Sequence, residues 1–210
     1  MSSKITIYLM WGSQPARAVV SLCEFLKIPY NVESKKFSDL RQPEYLKINP
    51  AGRVPVIYDP ENKVYLNESH AIMRYLVATQ ANNDCIYYPQ DPVKRAQIDA
   101  YLDWHHTGAR QCAMLVFTLV FGPMMGRKPL VENIERQRKI IESQLSFIEN
   151  NYMSDKFILG WENPTLADLS CYCELLGLLF IEYNFNKYPK IQNWMKKMGE
   201  FQAIQNSHTN

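Results

Sequence analysis

The chain has 210 residues, of which 47% are hydrophobic and 21% are charged, and this composition is typical of a folded globular protein. Lysine and arginine number 23 against 21 acidic residues, and a formal charge of +2 gives no basis for the basic face that nucleic-acid binding requires. No apolar stretch reaches the length that would span a bilayer, so no membrane partner is expected. The N-terminus lacks a small-residue cleavage site after its short apolar run and is interpreted as a first strand, not a signal peptide.

Five cysteines are scattered along the chain, an odd count without any CxxC motif. This pattern excludes a zinc knuckle and a dithiol redox motif. Reduced and mostly buried thiols, in a cytoplasmic protein without a metal, are the expected state.

Strands and helices alternate over residues 1–79. "ITIYL" is rich in β-branched and aromatic residues, as a strand requires, and the following segment carries Pro15 in the first turn of a helix. "DPEN" has the composition of a turn between two short strands. The predicted strands are 5–9, 30–35, 54–58 and 64–66, and the predicted helices are 14–27, 43–48 and 68–79. The sequence therefore predicts an α/β unit.

The composition changes at residues 80–92, which are polar, contain two prolines and are interpreted as a linker. Residues 93–210 show helical periodicity and no convincing strand, which predicts an all-helical second unit. Long helices are predicted over 93–121, with a kink near Gly108, over 130–152, and over 165–183, and weaker helices near 189–205. The third is apolar on nearly every face, so it should be buried on most sides. Thr165 and Asp168 before it have the spacing of a capping box.

Three motifs in the first unit have both a structural and a functional interpretation. Ser13 precedes a helix, where its hydroxyl either caps the helix or donates to an anion such as a thiolate. Pro55 is either an ordinary edge proline or the second residue of a cis peptide, which would leave the Val54 backbone free for a ligand. Glu68-Ser69 opens a helix, where an acid either complements the helix dipole or, with the N–H groups, binds an ammonium and a carboxylate.

Taken together, the order and spacing of these motifs resemble the cytosolic glutathione transferase family over nearly the whole chain. The motifs are "SQPAR" after the first strand, "NPAGRVPVI" at the third, "NESHAI" at the third helix, "YPQD" in the linker and "TLAD" late in the chain. The serine form "SQPxRAV" and "YLDWHHT" (101–107) look most like the theta class, with the delta and zeta classes as close competitors.

The resemblance implies a thioredoxin-like α/β domain over 1–79, a linker over 80–92, and an all-α domain over 93–210 that binds the second substrate. It implies glutathione as co-substrate, a small hydrophobic electrophile as second substrate and a homodimer, and it leaves room for glutathione peroxidase activity.

Carried over residue by residue, the resemblance makes Ser13 the hydroxyl that stabilises the glutathione thiolate. Val54 would pair through its backbone with the cysteinyl part of glutathione, Glu68 and Ser69 would hold the γ-glutamyl end, and Arg53 falls near the glycine carboxylate. The full implied glutathione-binding set is Gln14, Gln42, Arg53, Val54, Pro55, Glu68 and Ser69. The residues implied to face the second substrate are Trp11, Arg110 and Phe117.

The sequence departs from the family pattern at several places. Leu40 stands where a glutathione-binding histidine is common, so Arg41 or Gln42 must compensate. Thr107 replaces an acidic residue that reaches across the dimer in some theta proteins. The chain ends at Asn210, before the C-terminal helix that covers the site in many theta members, which implies a more open pocket.

Two other functions compete with a transferase. The first is a non-catalytic glutathione-transferase-like interaction module. The intact Ser13, Glu68 and Ser69 argue against this function, whereas Leu40 is compatible with it. A glutathione-dependent reductase would carry cysteine at position 13, and a zeta-like isomerase would carry a Ser-Ser-Cys run at that junction, where this chain has "GSQ".

Overall fold

The computed structural model of the chain describes residues 4–208. Contacts divide these residues into two compact units. The first contains the described residues up to Cys85 together with those from Phe201 onward, and the second is Ile86–Glu200.

The first unit is built on a four-stranded mixed sheet, and it confirms the predicted α/β fold. Its strands are β1 (Ile5–Leu9), β2 (Tyr30–Ser34), β3 (Val56–Asp59) and β4 (Val64–Asn67), and its first three helices are α1 (Gln14–Leu26), α2 (Pro43–Ile48) and α3 (Ser69–Gln80). The strand order is β2-β1-β3-β4. β1 is parallel to β2 and antiparallel to β3, and β3 is antiparallel to β4. Alternate residues of β1 are buried, as its apolar side chains require.

The second unit is helical, and the structure shows no strand after β4 in residues 4–208. Its helices are α4 (Pro92–His105), α5 (Ala113–Val116), α6 (Gly122–Met124), α7 (Val131–Asn151), α8 (Leu166–Leu176) and α9 (Pro189–Gly199). The segment between α4 and α6 also contains a 3₁₀ turn, Ala109–Cys112, and a π-helical turn, Phe117–Phe121.

The prediction of one kinked helix over 93–121 is wrong in its second half. The chain does break near Gly108, whose φ and ψ of −101° are not helical. A Cβ at that residue would lie 2.3 Å from ring carbons of Trp104, so the close packing there requires glycine. Beyond the break, however, short 3₁₀, α and π turns replace a continuous α-helix. The helix predicted over 165–183 also ends early, at Leu176, and its last residues form a 3₁₀ turn.

α8 is the buried centre of the second unit, as its apolar sequence predicts, since all but the last of its residues are buried. The predicted capping box is present: Thr165 Oγ1 accepts from the Ala167 N–H at 3.2 Å, and Asp168 Oδ2 accepts from the Thr165 N–H at 2.8 Å. The other carboxylate oxygen of Asp168 accepts from the Ile158 N–H and from Trp194 Nε1. Burial raises the pKa of Asp168 to about 6.

The last described helix, α10 (Gln202–His208), packs on α1 in the first unit, whereas the sequence analysis assigned residues 93–210 to the helical unit. The rings of Phe25 and Phe201 are 5.3 Å apart, and the hydroxyls of Ser21 and Ser207 are 2.7 Å apart. Phe201, which directly precedes α10, and Ser207 within α10 therefore find their partners on α1.

Within residues 4–208, no helix has both the length and the apolar character to cross a membrane. No cluster of three or more His, Cys, Asp or Glu side chains that could hold a metal ion occurs in the same range. The five cysteines are free thiols, and four of them are buried, Cys85 being the half-buried exception.

Candidate active site

The strand register brings three separate motifs to one edge of the sheet. Tyr8 pairs with Val56, and Val56 pairs with Asn67. The turn that leaves β1, the loop that enters β3 and the start of α3 after β4 therefore lie side by side. These three segments contain all but one of the residues that were predicted to bind glutathione.

Ser13 is the N-cap residue of α1, yet its hydroxyl makes no capping hydrogen bond. Its backbone carbonyl accepts from the Arg17 N–H at 3.1 Å and so begins the helical ladder. No acidic residue lies in the first turn of α1, so no side chain there offsets the positive end of the helix dipole. The half-buried Ser13 hydroxyl thus stands beside unpaired first-turn N–H groups and is suited to an anion.

The Val54–Pro55 peptide in the loop before β3 is cis, which is the second of the two interpretations that the sequence left open. In residues 4–208 the Val54 N–H and C=O make no backbone hydrogen bond, so both can pair with an extended ligand backbone. The preceding carbonyl, of Arg53, accepts from Tyr45 Oη and from Asn49 Nδ2, each at 2.8 Å. These two hydrogen bonds fix the backbone of the loop at Arg53.

Glu68 is the N-cap residue of α3 and has a backbone φ of 67°, a left-handed conformation that is uncommon outside glycine. Such strain costs about 1–3 kcal/mol and is concentrated at functional sites. The Glu68 side chain is exposed and has no ion-pair partner in the described part of the chain. The next residue, Ser69, is buried, and α3 starts there with unpaired N–H groups.

The segment at Leu40 packs against the same edge of the sheet. Leu40 is 7% exposed and forms an apolar cluster with Tyr45 and Val56, against which Val54 also packs. Position 40 therefore supports the loop before β3. The exposed Gln42 lies two residues further along the chain and is the N-cap residue of α2.

Arg41 lies over the tight turn at Gly52, which has a φ of 58°. A Cβ on Gly52 would lie 2.8 Å from Arg41 Nη1 and 2.7 Å from the Leu40 carbonyl oxygen. Any larger residue at position 52 would therefore displace the turn that carries Gln42 or the loop that carries Arg53.

The other residues predicted in the first unit are Trp11 and Gln14. Trp11 is half-buried in the turn after β1, and Gln14 is the first residue of α1 and is 6% exposed. Both flank Ser13 in the chain.

The two residues predicted in the second unit lie on the irregular segment between α4 and α6. Arg110 is in the 3₁₀ turn, and its Nη1 donates to Glu174 Oε2 at 2.9 Å. Phe117 is half-buried at the start of the π-helical turn, and the Arg127 guanidinium lies 5.7 Å from its ring. π-helical turns are rare and are frequently found at functional sites.

The residues that hold these groups in place were not predicted from the sequence. Asn49 is 2% exposed, and besides the Arg53 carbonyl it contacts the Ala51 N–H and the Asn67 side chain. It thereby links the loop before β3 to the end of β4. In sequence it resembles an ordinary turn residue, and only its place in "NPAGRVP" marked it. Glu174 gave no local signal, since it lies 64 residues from Arg110.

Comparison with known proteins shows the family to which both units belong. Residues 3–78 match the family model of the glutathione S-transferase N-terminal domain, and residues 112–200 match that of the C-terminal domain. Glutathione S-transferase T1 of Arabidopsis thaliana is 33% identical over 203 residues, which are 92% of this chain and 82% of the relative. Glutathione S-transferase T2 of the same plant is 34% identical over 92% of this chain, but this chain spans only 34% of its length.

A solved human theta-class glutathione transferase, in complex with the glutathione conjugate of 1-menaphthyl sulfate, superposes with a TM-score of 0.90 at 28% identity. The superposition covers 99% of this chain and 86% of the human one. Two domain matches that together span more than half of the chain, and a relative above 30% identity that is matched over most of its length, establish the family. The chain belongs to the glutathione S-transferase family, and its relatives include theta-class members.

Proposed function

We propose that this protein is a serine-type, theta-like glutathione transferase that joins the glutathione thiolate to small hydrophobic electrophiles. The observation that carries the proposal is the Ser13 hydroxyl, which sits at the start of α1 and makes no capping hydrogen bond. A hydroxyl that served only as a cap would be bonded to the first-turn N–H groups. Relatives that carry the transferase name, and a human theta structure that holds a glutathione conjugate, support the same activity.

Glutathione is proposed to lie along the sheet edge described above. Its cysteinyl backbone pairs with the free N–H and C=O of Val54. Its γ-glutamyl ammonium pairs with the exposed Glu68 carboxylate, and its γ-glutamyl carboxylate takes the N–H groups and hydroxyl at Ser69. Arg53 supplies a cation for the glycine carboxylate. Gln14, Gln42 and Pro55 complete the proposed set.

The proposed chemistry is activation of a thiol. A free thiol has a pKa of about 8.5 and is mostly protonated at neutral pH, whereas the thiolate is the nucleophile. Lowering that pKa by about two units requires about 2.7 kcal/mol of preferential stabilisation of the thiolate. A charge-assisted hydrogen bond from Ser13 supplies about 1.5–3 kcal/mol, and the α1 terminus adds about 0.3–1 kcal/mol. Together they supply about 1.8–4 kcal/mol, a range that includes the required stabilisation.

The thiolate then attacks an electrophilic carbon and expels its leaving group. In the proposed peroxidase activity it instead attacks a peroxide oxygen, so that the O–O bond breaks and an alcohol leaves. The glutathione sulfenic acid formed in this way then reacts with a second glutathione to give the disulfide and water. Trp11, Arg110 and Phe117 are proposed to contact the second substrate. We further propose that the protein acts in the cytoplasm as a homodimer, in keeping with its family.

The first test is glutathione binding, measured by calorimetric titration of the wild-type protein and of Glu68→Ala. The variant should bind glutathione at least about tenfold more weakly, because it loses a charge-assisted contact of about 1.5–3 kcal/mol. Glu132→Ala is the matched control, since Glu132 is likewise an exposed acid at the start of a helix. Equal affinities in the folded proteins would place Glu68 outside the site.

Turnover is tested with a haloarene, an alkyl halide and an organic hydroperoxide. Conjugation of either halide supports the transferase, and loss of hydroperoxide with oxidation of glutathione supports the peroxidase activity. A protein that binds glutathione but turns over none of the three would instead be the non-catalytic module. Light scattering that gives the monomer mass of 24.6 kDa at micromolar concentration would contradict the homodimer.

A further inference from the structure

Three carboxylates in the second unit are almost fully buried, and they are paired in different ways. Asp168 accepts hydrogen bonds on both oxygens, from the backbone, a hydroxyl and an indole. Glu149 also uses both oxygens, which accept from the N–H groups of Lys190 and Ile191 at the start of α9. Each of these two carboxylates therefore holds parts of the backbone together.

Glu174 differs from both. It is 2% exposed, and its Oε2 accepts from Arg110 Nη1 at 2.9 Å, whereas its Oε1 is buried and has no hydrogen-bond partner in residues 4–208. His105 Nε2 lies 3.6 Å from the same Oε2, which is beyond hydrogen-bonding distance. A buried carboxylate is costly unless it is well paired. The one hydrogen bond of Glu174 goes to a side chain, not to the backbone.

Both the backbone and the guanidinium group of Arg110 are held in place. Its 3₁₀ turn is anchored by Ala109 and Cys112, which are fully buried on either side of it, while its own side chain is 41% exposed. Glu174 binds one guanidinium nitrogen, and the rest of the planar fork is available to another group. A guanidinium fixed in this way loses little side-chain entropy when it binds an anion, because it has already been ordered.

We infer that Glu174 is the positioning residue for Arg110, and that it fixes the direction in which the guanidinium meets the second substrate. This inference rests on the proposed function, which places Arg110 at that substrate. Glu174 touches neither glutathione nor the electrophile in this account, and acts only through Arg110. Without its charge, Arg110 would retain its place in the chain but lose its fixed orientation.

The test compares two electrophiles that share an aryl group, an arylmethyl sulfate with an anionic leaving group and the corresponding neutral arylmethyl chloride. The readout is the ratio of the two kcat/KM values. Arg110→Ala should lower this ratio by about a hundredfold, and Glu174→Gln by about tenfold, because the glutamine keeps the shape but binds the guanidinium more weakly. The double variant should be no worse than Arg110→Ala alone, since Glu174 acts through that residue.

Glu149→Gln is the matched control, a charge removal at another buried glutamate of the same unit that does not contact Arg110. It should leave the ratio unchanged even if it lowers stability in urea. A folded Glu174→Gln protein with the wild-type ratio would overturn the inference. So would equal losses with both electrophiles, since those would show a general structural effect.

A binding measurement separates this inference from the proposed function. The wild-type protein and the variants are titrated with an aryl sulfonate, with binding followed by fluorescence. If the wild-type protein turns over neither electrophile, the proposed function fails, but weaker sulfonate binding in both Arg110→Ala and Glu174→Gln still upholds the positioning. The inference is overturned if Arg110→Ala weakens sulfonate binding but Glu174→Gln does not. It is also overturned if Arg110→Ala leaves the sulfonate affinity unchanged.

Discussion

Replacing Ser13 by alanine separates capping from catalysis, because the chain contains a genuine cap for comparison. Thr165 accepts from the Ala167 N–H, donates to Asp168 and is fully buried, whereas Ser13 makes no capping bond. An N-cap hydroxyl is worth about 1 kcal/mol. Thr165→Ala should therefore lower the free energy of unfolding by about 1–2 kcal/mol, and Ser13→Ala by less than about 0.5 kcal/mol.

On the pKa of the bound glutathione thiol, by contrast, Ser13→Ala should have the larger effect of the two variants. If Ser13 donates to the thiolate, its loss removes about 1.5–3 kcal/mol, and since one pKa unit corresponds to 1.36 kcal/mol, the pKa of bound glutathione should rise by about one to two units. The α1 terminus remains, so the pKa should stay about half a unit below that of free glutathione. Turnover below that pKa should fall by about tenfold or more.

The assay is the ultraviolet absorbance of bound thiolate as a function of pH, with urea unfolding on the same samples. Thr165→Ala should show the wild-type titration at reduced stability. The reasoning is refuted if Ser13→Ala is destabilised as much as Thr165→Ala while its thiol titration and its turnover match the wild type. Ser13 would then act only as an N-cap, with a capping hydrogen bond that forms in solution.

Three further substitutions test the supports of the fold and the site. Asp168→Asn should cost about 2–4 kcal/mol in urea unfolding, because an amide cannot accept on both sides and leaves a buried donor unpaired; a loss below about 0.5 kcal/mol would contradict this. Asn49→Ala should lower stability by about 1–3 kcal/mol and weaken glutathione binding in calorimetry, since it frees the loop that carries Val54; unchanged affinity in a folded variant would show that the loop needs no such support. Gly108→Ala should lower the free energy of unfolding by about 1–3 kcal/mol through its clash with Trp104. The loss should exceed that of Gly126→Ala, where a Cβ meets open space and only the φ of 75° is unfavourable. Equal melting temperatures of the two variants would argue against the clash.

Local patterns predicted the first unit well. β1 and α2 have the bounds that the sequence indicates, because alternation over five residues and a proline at a helix start are both local signals. The capping box at Thr165 was recognisable for the same reason. The order of the motifs marked the segments that are proposed to bind glutathione, and the register of the strands shows that these segments lie side by side.

The succession of turns in the irregular segment after α4 could not be predicted from the sequence. Apolar residues three and four apart fit α, 3₁₀ and π turns alike, so periodicity could not predict where "TGARQCAMLVFTLVF" changes from one to another. The pairing of Arg110 with Glu174 depends on tertiary contact across 64 positions. The docking of α10 was missed because an amphipathic helix shows which face it buries but not which partner covers that face.

The return of α10 to α1 has a consequence for the order in which the protein is made. The first unit is discontinuous in the chain, and the whole of Ile86–Glu200 is synthesised between its two parts. During translation the second unit is therefore complete as a contiguous segment before the first, although the first is begun earlier. Until Phe201 and α10 have left the ribosome, the surface of α1 around Phe25 lacks the contacts that they supply and presents apolar area to chaperones and proteases.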